Sequence, residues 1–131
     1  MSSRSVDELV ADWDEVYKKG QLSLWVLLAV FDGKKYAAQI TDFMRDATDG
    51  VFEVKEQSLY RALRRFDDMG LVRMSLEESP NSGPNRKYYQ LTEKGEEVVG
   101  RFVESNIAPL LRPPIIQLLQ SVQTKGTHHE S

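Results

Sequence analysis

Cysteine is absent from the 131 residues, and histidine occurs only twice, as His128 and His129 near the end. The first absence excludes disulfide frameworks, thiolate metal sites and cysteine nucleophiles. The second leaves no histidine in the patterned part of the chain, so neither a catalytic triad nor a histidine-ligated metal site can be assembled. No glycine-rich segment has the form of a phosphate-cradling loop, and paired acids such as Glu96-Glu97 read as solvated helix surface. The longest apolar run, Leu24 to Phe31, is far too short to span a bilayer. Met1-Ser2-Ser3-Arg4 leads into an acidic amphipathic stretch and not an apolar signal core, so a cytoplasmic setting is expected. These gaps argue against an enzyme and give no reason to expect a cofactor or a metal.

What is present is an ordinary globular composition, 40% hydrophobic and 28% charged, on a length that favours one domain. The net charge of −3 is unevenly distributed. Residues 1–33 carry three Lys/Arg against six Asp/Glu, and residues 92–131 carry four against five. The middle, 34–91, holds ten against nine, and within it Lys55, Arg61, Arg64 and Arg65 face Glu56 alone between positions 55 and 65. Screening confines each charge to about 10 Å, so a local basic face matters more than the global balance.

The apolar spacing predicts mostly helix. Ser5 with Glu8 forms a capping box for a helix carrying Val6, Leu9, Val10, Trp13, Val16 and Tyr17, which Gly20 is expected to end. Leu22 to Phe31 reads as a buried central helix closed by Asp32-Gly33. Tyr36, Ile40, Phe43 and Ala47 form the next stripe, stopped at Asp49-Gly50, and Phe52 to Val54 reads as a minimal strand or extended link. Leu59, Ala62, Leu63, Phe66 and Met69 share one face of a helix beginning at Glu56 and stopped at Gly70. The period then changes to two short strands, 71–76 and 87–91, joined by a segment rich in turn formers. Thr92 caps a further helix with Val98, Val99, Phe102 and Val103. Pro109, Pro113 and Pro114 interrupt the pattern, with Pro114 suited to begin a last helix bearing Ile115, Leu118, Leu119 and Val122. Residues 124–131 read as a frayed tail.

Three helices followed by a hairpin is the order of a winged helix-turn-helix, and the residues carry a closer resemblance. Leu59-Tyr60-x-Ala62-Leu63-x-Arg65-Phe66 followed by Gly70-Leu71-Val72 resembles the recognition-helix signature of the PadR family of regulators. Ser82-Gly83-Pro84-x-Arg86-Lys87-Tyr88-Tyr89-x-Leu91-Thr92-x-x-Gly95 is similar to that family's wing and the helix cap after it. The resemblance spans roughly residues 20–100 and departs at Arg61, where the family often has proline. It implies a mainly α fold with a small β-hairpin, a winged helix-turn-helix over 21–92. An N-terminal helix (1–20) and C-terminal helices (93–123) would serve dimerisation, with the tail at 124–131.

The function so implied is sequence-specific binding of double-stranded DNA at an inverted-repeat operator, by a homodimeric repressor relieved by a small effector. Gln57, Arg61 and Arg64 lie opposite the apolar face of helix 56–69, flanked by Tyr60 and Arg65, so its first turns suit a major groove. Ser58 and Lys55 sit at its start. In the wing, Ser82, Gly83, Arg86 and Lys87 would meet phosphate or minor groove, with Asn81 and Asn85 as further donors. Lys34, Lys35 and Tyr36 precede a helix N-terminus, a place suited to a phosphate, with ordinary surface cations the equal alternative for the two lysines. Tyr88 and Tyr89 are read as fixing the strand to the core. Leu9, Trp13, Val16, Ile115, Leu118, Leu119 and Val122 are the expected dimer contacts. Trp13, Trp25 and Phe102 are candidate contacts for an aromatic effector, with packing the plainer reading of both tryptophans. The family can place an effector-binding tryptophan on the helix after the wing, and residues 92–113 contain none. A winged-helix protein-interaction module without a DNA role is the alternative, and a small-molecule sensor with secondary DNA affinity is another.

Overall fold

The computed structural model describes residues 4–79 and 83–128. Helix α1 runs from Val6 to Asp32, opened by the expected capping box: Ser5 Oγ accepts from the Glu8 N–H at 3.1 Å, and the Glu8 carboxylate accepts from the Ser5 N–H at 3.3 Å. The expected break at Gly20 does not occur. Gly20 sits in the helix interior with nothing near its missing side chain, and it lacks the positive φ found at Gly50 and Gly70. A glycine between good helix formers weakens a helix by about 1 kcal/mol without ending it. The result is one rod of 27 residues, about 40 Å long at 1.5 Å per residue, in place of two helices.

Helices α2 (Ala37–Ala47) and α3 (Glu56–Asp68) make the helix-turn-helix pair. The intervening turn is locked at its start, where Asp49 takes the left-handed conformation (φ 52°) and the Gly50 N–H bonds the Arg45 carbonyl at 2.8 Å. Thr48 Oγ1 donates to the Met44 carbonyl and accepts from the Phe52 N–H, holding the extended link toward α3; residues 52–54 form no strand. Gly70 stops α3 as expected, at φ 76°, with the Leu71 N–H returning to the Phe66 carbonyl at 2.9 Å.

The hairpin strands are β2 (Val72–Glu77) and β3 (Arg86–Leu91), and a third strand missing from the sequence reading, β1 (Lys35–Tyr36), pairs on the other side of β3. The antiparallel register sets Val72 opposite Leu91, Glu77 opposite Arg86, and Tyr36 opposite Tyr88. Two residues between helices are too short a run for periodicity to reveal. Val26, Ala29 and Val30 of α1, Ile40 and Met44 of α2, and Leu59, Ala62, Leu63 and Phe66 of α3 are buried, with Phe52, Leu71, Val72, Tyr89 and Leu91. This core holds α3 rigidly by its inward face.

By its contacts the chain divides into residues 1–96 and 97–131, within α4 (Glu93–Asn106). The second part continues through a 3-10 turn (Ala108–Leu111) into α5 (Pro113–His128). Pro113, one residue earlier than expected, begins α5, where a missing N–H leaves no bond unmade. The expected fraying from residue 124 does not hold up to His128: the chain remains helical, Thr127 Oγ1 donates to the Gln123 carbonyl, and Lys125 and His128 suit the negative end of the helix. His129 lies outside the described residues.

Candidate nucleic-acid interface

The exposed side of α3 is set by which residues its core face takes. With Leu59, Ala62, Leu63 and Phe66 buried, Gln57, Tyr60, Arg61, Arg64 and Arg65 are left exposed on the helix and Ser58 half-buried. Lys55 is exposed at the N-cap and makes no side-chain capping bond. Among the described residues, ion pairs engage Arg4, Lys34, Lys35, Arg45 and Arg101 with acids. Lys55, Arg61, Arg64 and Arg65 are in none of these pairs, so the basic face is electrostatically unspent. Asp67 and Asp68 stand at the far end of α3, away from the turns that enter a groove.

A cleft of about 500 Å³ opens beside this face, lined by Tyr36, Ala37 and Ala38 at the start of α2, Tyr60 of α3, and Asn85, Arg86, Lys87 and Tyr89 of the wing. It draws together four of the expected contacts (Tyr36, Tyr60, Arg86 and Lys87) from three separate elements. The Arg86 guanidinium lies 4.4 Å from the centre of the Tyr36 ring, which meets the Tyr88 ring edge-on at 5.4 Å. Gly83 is exposed in the wing, whereas Ser82 and Asn81 lie outside the described residues.

Lys35 is placed differently from its expected phosphate seat. Its ammonium donates to the Ala29 carbonyl at 2.8 Å and pairs with Asp32 at 3.0 Å, leaving the side chain 15% exposed. The carbonyls orphaned at the end of α1 attract the nearest cation, and they outcompete solvent for it. Lys34 is also committed: it reaches across β3, 5.6 Å from the centre of the Tyr88 ring, to pair with Glu77 at 2.8 Å. That tie was not legible in the sequence, because positions 34 and 77 meet only through the sheet register.

The hydrogen bond from Lys34 holds the Glu77 carboxyl below its ordinary value, against partial desolvation, with Ser75 and the Lys34 charge assisting. A depressed carboxyl contributes stability above its ordinary pKa and loses it as pH falls through the lowered value. Thermal melts across that acid range should therefore show a small stability loss that Glu77→Gln removes. An identical acid profile in the variant would mean that the tie contributes nothing. Burial pushes the Tyr89 hydroxyl above its ordinary value, with Tyr60 and Asp67 adding to the rise and Arg64 opposing it. Tyr89 is thus neutral at physiological pH, consistent with its role as the strand's anchor.

The expected dimer and effector residues are distributed along α1, α4 and α5. Leu9, Trp13 and Val16 are more than half exposed on α1, as are Leu118, Leu119 and Val122 on α5, with Ile115 half-buried. Trp25 is half-buried with its indole N–H donated to Gln21 at 3.3 Å, and Phe102 is exposed on α4. Among the described residues no helix is long and apolar enough to cross a membrane, and no cluster of three or more potential metal ligands occurs.

Known proteins bear on this arrangement. A PadR-like transcriptional regulator from Bacillus cereus is 28% identical, with a TM-score of 0.62 over 78% of this chain and 94% of its own. A PadR family transcriptional regulator from Eggerthella lenta is 24% identical, with a TM-score of 0.65 over 86% of this chain and 94% of its own. PadR from Bacillus subtilis, solved in complex with operator DNA, shares the fold at 18% identity and a TM-score of 0.57, over 63% of this chain and 46% of its own. The description of one family, the transcriptional regulator PadR-like family, matches residues 26–101, which hold the helix-turn-helix, the sheet and the cleft. The chain belongs to the PadR-like family of transcriptional regulators.

Proposed function

We propose that the protein binds double-stranded DNA sequence-specifically and acts in the cytoplasm as a homodimeric repressor at an inverted-repeat operator. The observation that carries this reading is the set of cations Lys55, Arg61, Arg64 and Arg65, in no ion pair among the described residues, on the solvent side of α3, a helix held firmly by its opposite face. A major groove admits one helix, its side chains reading base edges near the N-terminal turns while others meet phosphates. The wing residues Arg86 and Lys87 extend the same charge across the cleft. The Bacillus subtilis relative with operator DNA supports the reading through its fold. Self-association is supported by the apolar exposure along α1 and α5, since contiguous apolar patches usually mark an interface. Relief by a flat aromatic effector is the finest part of the reading. A dose-dependent rise in melting temperature with flat aromatic compounds checks it, and no shift would remove the effector.

The direct test is DNA titration of two variants that leave the core untouched. Arg64→Ala should weaken binding to all duplexes alike and reduce the log–log salt slope by about 1 per half-site, the signature of one lost phosphate contact. Arg61→Ala should instead relax preference at one base-pair position, at a cost of about 1–3 kcal/mol if it reads a guanine. Unchanged affinity and slope in both variants would refute α3 as the recognition helix. Absence of any salt-dependent duplex binding by the wild type would favour a protein-interaction module.

A further inference from the structure

The two cations on the outer face of the sheet are treated differently, although both lie over the same aromatic pair. Lys34 rests over Tyr88 and spends its charge on Glu77. Arg86 rests over Tyr36 at 4.4 Å, and no acid within ion-pair distance is found among the described residues. The register explains the geometry. Tyr36 stands opposite Tyr88, and Arg86 is two residues before Tyr88 on β3, so the Tyr36–Arg86 pair is the diagonal neighbour across an antiparallel ladder. Tyr36 cannot swing away freely. Its ring abuts Tyr88 edge-on, its N–H donates to Gln39 Oε1 at 3.2 Å, and its backbone is both the end of β1 and the cap of α2.

We propose that Tyr36 is a positioning residue: its ring holds the Arg86 guanidinium, planar and uncommitted, at the mouth of the cleft, where it clamps a phosphodiester of the DNA backbone. The inference rests on the DNA-binding reading and deepens it. Arg86 is the first residue of β3, next to a loop of turn formers at 78–85, and its long side chain would otherwise sample many rotamers and bind phosphate only after losing that freedom. Stacking on an anchored ring removes most of that loss beforehand, and it leaves the N–H donors at the edge of the guanidinium available for phosphate oxygens. Tyr36 itself need not touch DNA. Glu77 and Tyr88 complete the device, because the acid is occupied by Lys34 and so does not neutralise Arg86.

The experiment is a double-mutant cycle on binding to a short mixed-sequence duplex, since a phosphate contact is independent of sequence. Tyr36→Leu should weaken binding roughly three- to tenfold and lower the salt slope by about 1 per half-site, as Arg86→Ala does. In the Arg86→Ala background Tyr36→Leu should have no further effect, and Tyr36→Phe, which keeps the ring, should bind like the wild type. Additive losses, or a loss in Tyr36→Phe matching that of Tyr36→Leu, would show a direct tyrosine contact and overturn the proposal. Wild-type binding that none of the variants alters would overturn it while leaving the DNA-binding reading in place. No binding by the wild type would overturn both. Melting temperatures within a few degrees of each other are expected; a Tyr36→Leu loss that persists in the Arg86→Ala background together with a large fall in melting temperature would mark a merely structural tyrosine, and would likewise overturn the proposal.

Discussion

Gly95→Ala is expected to lower stability by roughly 2–4 kcal/mol and the melting temperature by about 10 °C. Gly95 is the third residue of α4, where an alanine Cβ would run into the Leu71 carbonyl oxygen and stand 2.7 Å from Leu91 Cδ1. The obstructing oxygen has no room to yield. It accepts from the Thr92 N–H at 3.0 Å, while the Thr92 hydroxyl donates to the adjoining Gly70 carbonyl at 2.7 Å and caps α4 by accepting from the Gly95 N–H at 3.0 Å. Relieving the clash means pulling α4 away from the sheet and breaking the cap, worth about 1 kcal/mol more. Gly100 is the internal control. It lies in the same helix with open space where its Cβ would be, so Gly100→Ala should be neutral or stabilising by up to about 1 kcal/mol. Thermal and denaturant melts of the two variants check both signs. Equal effects would mean that α4 does not approach the sheet as closely as these distances require.

Leu118→Asp combined with Leu119→Asp should give a folded monomer whose operator affinity falls by about 10²-fold or more, because the second half-site is then no longer bound at high effective concentration. The two leucines are 61% and 52% exposed on α5 and contribute little to the fold of a single chain, so the loss should appear in association and not in helix content. Sedimentation reports the mass, circular dichroism the fold, and titration of whole against half operators the coupling. A twofold dimer sets its recognition helices about 34–36 Å apart, so lengthening or shortening the half-site spacing by half a turn, about 5 bp, should produce a similar loss in the wild type. A wild-type monomer, or a double variant with undiminished operator affinity, would remove self-association from the proposed function. The matching change on α1, Trp13→Asp at a residue 75% exposed, should act in the same direction and separates the contribution of that helix.

Much of this molecule was determined by the sequence alone, wherever the deciding interaction is local. Ser5 with Glu8, Thr92 with Gly95, and the stop at Gly70 are each complete within a few residues, and the inward face of α3 follows from 3.6-residue periodicity at Leu59, Ala62, Leu63 and Phe66. Because those four positions turn inward, Gln57, Arg61 and Arg64 must face outward, and so the candidate site is half legible in the sequence. The rest depends on contacts between residues distant in sequence. Gly20 and Gly95 look alike as letters, yet one passes unnoticed through α1 and the other is required by a carbonyl twenty-four residues away. Lys34 and Lys35 read as paired surface cations until the end of α1 claims one and Glu77 the other. Strand β1 exists only because β3 offers it a partner, and that pairing is what sets Tyr36 beneath Arg86. Local chemistry can be read from neighbours in the chain, whereas the competition among distant partners for a charge, a ring face or an open space is decided only once the chain has folded.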